Sequence, residues 1–138
     1  MTATGGSAAG GSAAGRLPQL RLQLVNLGCP DVAALLGFYQ RLLGWEVETA
    51  EPDWAVLRPP GGGVGLAFQT EEHHVRPVWP GGPGDQQMQL HLEIEVDDLA
   101  AASAHAEACG APAAAFQPQD DVRVHLDPAG HPFCLYTD

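Results

Sequence analysis

The most regular alternation of polar and apolar residues in this chain lies over residues 88–96. A two-residue period of this kind predicts a half-buried β-strand. The alternation ends at the acidic pair Asp97-Asp98, which is suited to cap the alanine-rich helix predicted over residues 99–109, and a glycine follows that helix. The predicted strand therefore presents His91 and Glu93 on one face and a row of apolar side chains on the other.

The first half of the chain has the same order of elements. Residues 20–27 alternate as a strand, and Asp31 is a predicted N-cap for a helix with apolar residues at helical spacing up to Gly44. Three further strands are predicted after this helix, over residues 45–49, 54–58 and 64–69.

The second half continues from its strand and helix in the same way, with strands predicted over residues 113–117, 122–126 and 132–137. Each half reads as β-α-β-β-β, which indicates an internal duplication. We predict an α+β fold with two tandem units, 20–70 and 88–138, joined by a linker over 71–87. Together they form a single domain over residues 16–138.

Residues 1–15 contain Met1 followed only by Gly, Ser, Ala and Thr. Such a segment cannot bury enough surface to offset the entropy of ordering it. We expect a disordered, dispensable tail.

Composition narrows the possible functions. The 138 residues are 45% hydrophobic and carry a formal net charge of −11, which is typical of a globular protein and argues against binding to nucleic acid phosphates. No apolar run approaches the length of a membrane span, and the first residues lack the features of a secretion signal. Three cysteines without close spacing suit free thiols in a reducing compartment, so we expect a cytoplasmic protein.

Three groups of residues together resemble the vicinal oxygen chelate superfamily, which includes glyoxalase I, bleomycin-resistance proteins and extradiol dioxygenases. They are the helix with Phe38-Tyr39, the strand–helix junction from His91 to Leu99, and the segment from Asp127 to Phe133. The chain is most similar to small glyoxalase-like proteins of actinomycete bacteria. The resemblance implies a curved, eight-stranded open barrel around a cavity, and a homodimer.

The resemblance also implies where a metal site would lie. The ligand positions of the superfamily's metal enzymes fall on Leu24, Leu66, His91 and Cys134 of this chain. Leucine has no lone pair to offer, and one histidine with one cysteine falls short of the three or four protein ligands usual for Zn²⁺. We therefore expect no cofactor and no catalytic metal, with His91 the metal ligand if there is any.

A displaced metal site is the alternative. In that arrangement Glu93 shares the face of His91, and either Gln69 or His125 approaches the pair.

The preferred functional hypothesis is a protein that binds a small organic molecule in the barrel cavity. Its predicted contacts are His91, Glu93, Trp54, Phe68 and Cys134. The alternatives are a divalent-metal lyase or dioxygenase, a metal-free acid–base catalyst using His91 with Glu93, a Cys134 nucleophile paired with His91, and a non-catalytic regulatory module or subunit.

The linker carries candidate residues of its own. His73-His74 and Trp79 lie in this Gly- and Pro-rich segment. The linker is either a solvated connection or a lid on which Trp79 packs against a ligand.

Overall fold

The computed structural model describes residues 15–138, so the predicted tail lies outside the described residues except for its last glycine. The described chain contains seven strands and two helices. Their bounds are β1 Leu24–Cys29, α1 Val32–Leu43, β2 Glu46–Glu51, β3 Trp54–Arg58, β4 Gly65–Thr70, β5 Leu92–Glu95, α2 Leu99–Cys109, β6 Val122–Leu126 and β7 Pro132–Tyr136. Within residues 15–138, neither helix is long and apolar enough to cross a bilayer.

Both helices begin and end where the sequence predicts. Asp31 accepts a 3.1 Å hydrogen bond from the backbone N–H of Ala34 at the start of α1, and Asp98 accepts one of 3.0 Å from Ala101 at the start of α2. The residue after each helix is a glycine in the left-handed conformation, as in α1, where Gly44 has φ of 72°. Of the acidic pair before α2, Asp98 is the cap.

The strands form two separate sheets. The first sheet has the order β1-β4-β3-β2, with β1 and β4 parallel and the other pairs antiparallel. The second sheet has the order β5-β7-β6, with β5 and β7 parallel and β6 and β7 antiparallel. The described part of the chain is therefore α+β, as predicted, but the eight-stranded barrel is not what its strands form.

The missing strand is the one predicted over residues 113–117. Only one isolated bridge forms there, between Ala113 and His125. The side chain of Gln117 takes over the role of a strand backbone, because its amide oxygen accepts from the N–H of Val124 at 2.9 Å and its amide nitrogen donates to the C=O of Val124 at 3.0 Å. Prolines on both sides of the segment, Pro112 and Pro118, have no N–H for a longer ladder.

The strand predicted over 88–96 is shorter, and His91 lies just before it. β5 begins at Leu92, which pairs with Phe133 of β7. The next residue of β7 towards its start is Pro132, which has no N–H and cannot extend the pairing to His91. His131 is also engaged elsewhere, because its Nε2 donates a 2.7 Å hydrogen bond to the C=O of Gly28 on β1.

One hydrophobic core draws on both units. Phe38 and Tyr39 of α1 contact Phe133 of β7, with ring centroids 6.0 and 6.2 Å apart, and Trp45 packs against the edge of this core. We call the side of each sheet that contributes to this core its helix face. The alternate residues form the opposite side, which we call the open face.

Candidate functional site

Three polar side chains meet on the open face of the second sheet. Glu93 of β5 is the register partner of Cys134 on β7, so both side chains lie on the same face. His91 precedes Glu93 by two residues, and its Nε2–H donates a 2.6 Å hydrogen bond to Glu93 Oε2. One donor atom from each of His91, Glu93 and Cys134 lies within 4.8 Å of the others. The structure thus brings together three of the five predicted contact residues.

This cluster lines a cavity of about 230 Å³. Its apolar walls come from the open face of the second sheet and from two loops, and comprise Trp79, Met88, Pro118, Val122, Val124 and Pro132. Val124 and Pro132 are buried, whereas His91 and Glu93 keep 34% and 53% of their side-chain surface exposed. The cavity therefore combines a solvent-connected polar group with an apolar lining, a combination typical of small-molecule sites.

The linker supplies one wall of this cavity. Trp79 is half-buried, lines the cavity and packs against Phe116, with ring centroids 5.8 Å apart. The linker also docks elsewhere, since His74 Nε2–H donates to the C=O of Ala129 at 2.8 Å. Of the two interpretations of the linker, this arrangement supports the one in which Trp79 covers a cavity.

Burial and a neighbouring carboxylate hold Cys134 as a neutral thiol. Desolvation is the larger cause, and the charge of Glu93 and a hydrogen bond to it add to the effect, so that the pKa of Cys134 rises to about 11. A nucleophilic cysteine needs a lowered pKa. The environment therefore opposes the interpretation of Cys134 as a nucleophile activated by His91.

Phe68 is not a cavity contact, contrary to the prediction. It lies on the helix face of the first sheet, has no exposed surface, and stacks on Tyr39 with ring centroids 5.7 Å apart. The prediction failed because residues 65–68 of β4 are all buried, so their hydrophobicity does not reveal which face each side chain takes.

Trp54 is also separate from the cluster. It is half-buried on β3 and lines an open depression together with Asp53, Gln69, Thr70 and Glu72. That depression belongs to the first sheet, so the five predicted contacts do not share one cavity.

A larger groove of about 770 Å³ is lined by residues of β1 and of the linker. Its lining includes Asn26 and Gly28 of β1, residues 71–75 of the linker, Gln86, Gln87, Gln89, Leu90 and His131. His73 is almost fully exposed and 3.9 Å from Glu72, while His74 is bonded to Ala129. The adjacent histidines therefore do not act as a pair.

Comparison with known families assigns the chain to a family. The model of the glyoxalase-like domain matches residues 24–136. The chain belongs to this family. It is thereby a member of the vicinal oxygen chelate superfamily, as the sequence motifs indicated. None of the curated proteins compared with it matches.

Solved structures show the same fold at low sequence identity. An enzyme of the glyoxalase/bleomycin resistance protein/dioxygenase family from Burkholderia phytofirmans is 21% identical, with a TM-score of 0.64, over 86% of this chain and 98% of that one. The antibiotic-binding protein TnmS3 from a Streptomyces species is 19% identical, with a TM-score of 0.60, over 88% and 98%. A lactoylglutathione lyase from Agrobacterium tumefaciens is 18% identical, with a TM-score of 0.59, over 88% and 96%.

The four metal-ligand positions implied by the superfamily resemblance do not form a site in this glyoxalase-like domain. Leu24 has no donor atom, and Leu66 lies on the helix face as part of the core. The open-face residue next to it is Ala67, which pairs with Asn26 and offers no side-chain donor either. His91 and Cys134 are the two positions with ligand atoms.

Of the residues named for a displaced metal site, Glu93 lies beside His91, and Cys134 is the third side chain of the group with a ligand-capable atom. Gln69 is hydrogen-bonded to Asn26 on the first sheet at 2.9 Å. His125 is fully buried on the helix face, between Ala111 and Ser103. Neither of these two residues approaches the cluster.

Sequence reasoning missed several wall residues of the cavity in this domain. Met88, Val122 and Val124 were assigned only to strands, and Pro118 to no site. The alternation of β6 places Val122 and Val124 on the face of Cys134 once the register of β6 against β7 is known. That register is a tertiary property. The sequence alone therefore predicts that Val122 and Val124 share a face, but not that this face is the one that carries Cys134.

Proposed function

We propose that this glyoxalase-like domain binds a small organic molecule in the cavity between Trp79 and the His91–Glu93–Cys134 cluster. The observation that carries the proposal is the cavity itself, in which apolar walls converge on a hydrogen-bonded polar group. Its volume of about 230 Å³ is below the range usual for drug-sized ligands. The ligand is accordingly a compact molecule with one polar end.

The contacts of such a ligand follow from the chemistry of the lining. The imidazole of His91 and the carboxylate of Glu93 offer both donor and acceptor capacity to the polar end. The indole of Trp79 and the side chains of Val122 and Val124 cover the apolar part. These contacts come from protein side chains alone, so this binding does not require a metal.

One structural relative supports a binding role. TnmS3 is an antibiotic-binding protein, so the shared fold accommodates an organic ligand. The fold alone does not transfer the ligand, because one fold hosts many functions.

A thermal-shift screen with compact organic molecules tests the proposal, since a ligand that binds only the native state raises the melting temperature. Trp79→Ala is expected to reduce the shift caused by any hit. Trp54→Ala is the matched control, because this half-buried tryptophan lines a different depression and its loss should leave the shift intact. A hit that responds to Trp54→Ala and not to Trp79→Ala would place the site on the first sheet and refute the proposal.

A second candidate function, a divalent-metal lyase or dioxygenase, is favoured by the three ligand-capable atoms of the cluster. The screen separates the two candidates when it is repeated with a chelator. Ligand shifts that persist in chelator support the metal-free binder, and shifts that vanish support the metal enzyme. Failure to find any ligand supports the third hypothesis, a non-catalytic module.

We also propose that two chains associate. The segment before β1 carries three strongly exposed leucines, Leu17, Leu20 and Leu22, at 90%, 85% and 72% exposure. β1 is an edge strand of its sheet, and apolar residues exposed beside an edge strand are suited to a partner. Light scattering should give twice the chain mass of 14.5 kDa, and replacement of all three leucines by serine should shift the mass towards the monomer. A wild-type monomer at micromolar concentration would refute the association.

A further inference from the structure

The His91–Glu93–Cys134 cluster, which lines the proposed organic-ligand cavity, also carries the donor atoms of a metal site. It combines an imidazole, a carboxylate and a thiol, and one donor atom of each lies within 4.8 Å of the other two. Within residues 15–138 it is the only group of three such side chains brought this close. Two of the three residues are fixed by strand register, because Glu93 and Cys134 are partners across β5 and β7.

The spacing of these atoms, all within 4.8 Å of one another, is near that of a metal centre. In a tetrahedral zinc site the bonds are about 2.0 Å to nitrogen or oxygen and about 2.3 Å to sulfur, which puts neighbouring ligand atoms about 3.3 to 3.5 Å apart. His91 Nε2 and Glu93 Oε2 are 2.6 Å apart because they share a proton. Loss of this proton and a separation of less than 1 Å would open the space for an ion. Both side chains are partly exposed, so their torsions are free to make this adjustment.

We propose that His91, Glu93 and Cys134 bind one Zn²⁺ ion, or a divalent ion of similar softness, through three protein ligands. Three protein ligands leave a fourth coordination position of the ion open, as in zinc sites that take water or a substrate. Glu93 lies outside the four ligand positions implied by the superfamily resemblance, so the site belongs to this chain's own sequence. It does not depend on the proposed organic ligand.

The donor set selects the class of ion. A thiolate and an imidazole favour Zn²⁺, Co²⁺ and Cd²⁺ over Mg²⁺ and Ca²⁺, which require more oxygen ligands. When the sulfur–metal bond forms, Cys134 releases its thiol proton to solvent and His91 binds as the neutral imidazole. The carboxylate and thiolate together balance the two charges of the ion. The net charge of −11 on the chain further favours the approach of a cation.

Titration of the reduced full-length protein with Co²⁺ tests the site by spectroscopy. A thiolate bound to Co²⁺ gives a near-ultraviolet charge-transfer band, and a four-coordinate site gives intense visible bands. We expect both to saturate at one equivalent and to disappear when Zn²⁺ is added. Cys134→Ser should abolish the charge-transfer band, and His91→Ala and Glu93→Gln should each weaken binding at least tenfold.

Two control variants make the assignment specific. Cys109→Ser changes a thiol that lies 3.8 Å from a nitrogen of His105, and it should leave the cobalt spectrum unchanged. Glu95→Gln removes the other carboxylate of β5 on the same face and should not affect affinity. The affinities of His91→Ala and Glu93→Gln keep the test valid even if Cys134→Ser fails to fold.

The proposal is overturned by the absence of a charge-transfer band in the wild type, by its persistence in Cys134→Ser, or by unchanged affinity in Glu93→Gln. None of these results bears on the organic-ligand proposal, for which the screen is repeated in the presence of chelator. Conversely, failure to find an organic ligand leaves the cobalt titration intact.

Discussion

Tyr39 and Asp127 join the two units through a buried hydrogen bond. The phenol of Tyr39 on α1 donates to Asp127 Oδ2 at 2.7 Å, although the residues are 88 positions apart in the chain. The other carboxylate oxygen accepts backbone N–H bonds from Ala129 and His131, each of 2.9 Å. Asp127 therefore fixes the turn before β7, and Tyr39 ties this turn to the first unit. The position of Cys134 on β7 depends on the same turn.

Tyr39→Phe should destabilise the fold. The substitution leaves Asp127 Oδ2 buried without its phenol donor, and an unsatisfied buried acceptor costs about 1–3 kcal/mol. Urea denaturation measures the loss. Tyr136→Phe is the control, because it removes the hydroxyl of the chain's other tyrosine, which is half-buried on β7, and it should cost less. Equal losses in the two variants would contradict the role given to the Tyr39–Asp127 bond.

Asp127 should also make the free energy of unfolding depend on pH, with a contribution that decreases as the pH rises. Burial raises the pKa of Asp127 above its ordinary value of 3.8, and the bonds from Tyr39 and the backbone only partly oppose this. The folded state then binds a proton more tightly than the unfolded state, so the contribution of this group is fully present below pH 3.8 and is lost as the pH rises through the folded pKa. As the pH falls from 7 towards 4, the free energy of unfolding of wild type should therefore rise relative to that of Asp127→Asn. A difference that shrinks over this range would show that the folded pKa lies below 3.8.

The helices were the most predictable part of the fold, for local reasons. Asp31 and Asp98 cap the helices with their own side chains, and Gly44 adopts a positive φ at the end of α1. These signals act within a few residues and do not depend on tertiary contacts. The strands of the first unit after α1 also lie within two residues of their predicted bounds.

The sequence-based predictions were wrong at positions whose structure depends on contacts with residues distant in the chain. Residues 113–117 have the apolar character of a strand, but the Gln117 side chain replaces the backbone ladder. In β4, a run of buried residues conceals the alternation that would place Phe68 on the helix face. The alternation placed His91 and Glu93 on one face and the superfamily resemblance added Cys134 as a contact, whereas the pairing of Cys134 with Glu93 needed the β5–β7 register.

Gln117→Ala should destabilise the second sheet. The variant removes both bonds to Val124 and one of 2.9 Å to the C=O of Ala114. We expect a loss of about 1–3 kcal/mol, because the N–H of the buried Val124 loses its partner. Hydrogen exchange should show faster exchange at this amide. Gln119→Ala, at an exposed neighbouring position, is expected to leave both measurements unchanged, and the same exchange rate in Gln117→Ala would refute the backbone-like role of its amide.

His91→Ala separates a ligand contact from a structural role. The side chain of His91 is one-third exposed and its hydrogen-bond partner Glu93 faces solvent, so the variant should melt at nearly the wild-type temperature without ligand. Any ligand found in the screen should stabilise it less than it stabilises wild type. His73→Ala, at an almost fully exposed side chain in the linker, is the control and should behave as wild type. A large loss of stability in the ligand-free His91→Ala protein would assign His91 a structural role instead.

Glu93→Gln should make the thiol of Cys134 more reactive in the metal-free protein. Burial is the main cause of the raised pKa of about 11, and the Glu93 charge and hydrogen bond contribute the remainder. Removal of that charge lowers the pKa and increases the thiolate fraction, which is the species that reacts with iodoacetamide. The rate of Cys134 alkylation at pH 8.5 in chelator, followed by peptide mass spectrometry, should therefore rise in Glu93→Gln.

Cys29, which is fully buried, serves as an internal reference whose alkylation rate should not change. Glu95→Gln should leave the rate at Cys134 near that of wild type, because the bond to the thiol comes from Glu93. An unchanged rate in Glu93→Gln would mean that burial alone sets this pKa, and that Glu93 and Cys134 interact too weakly to act as one site.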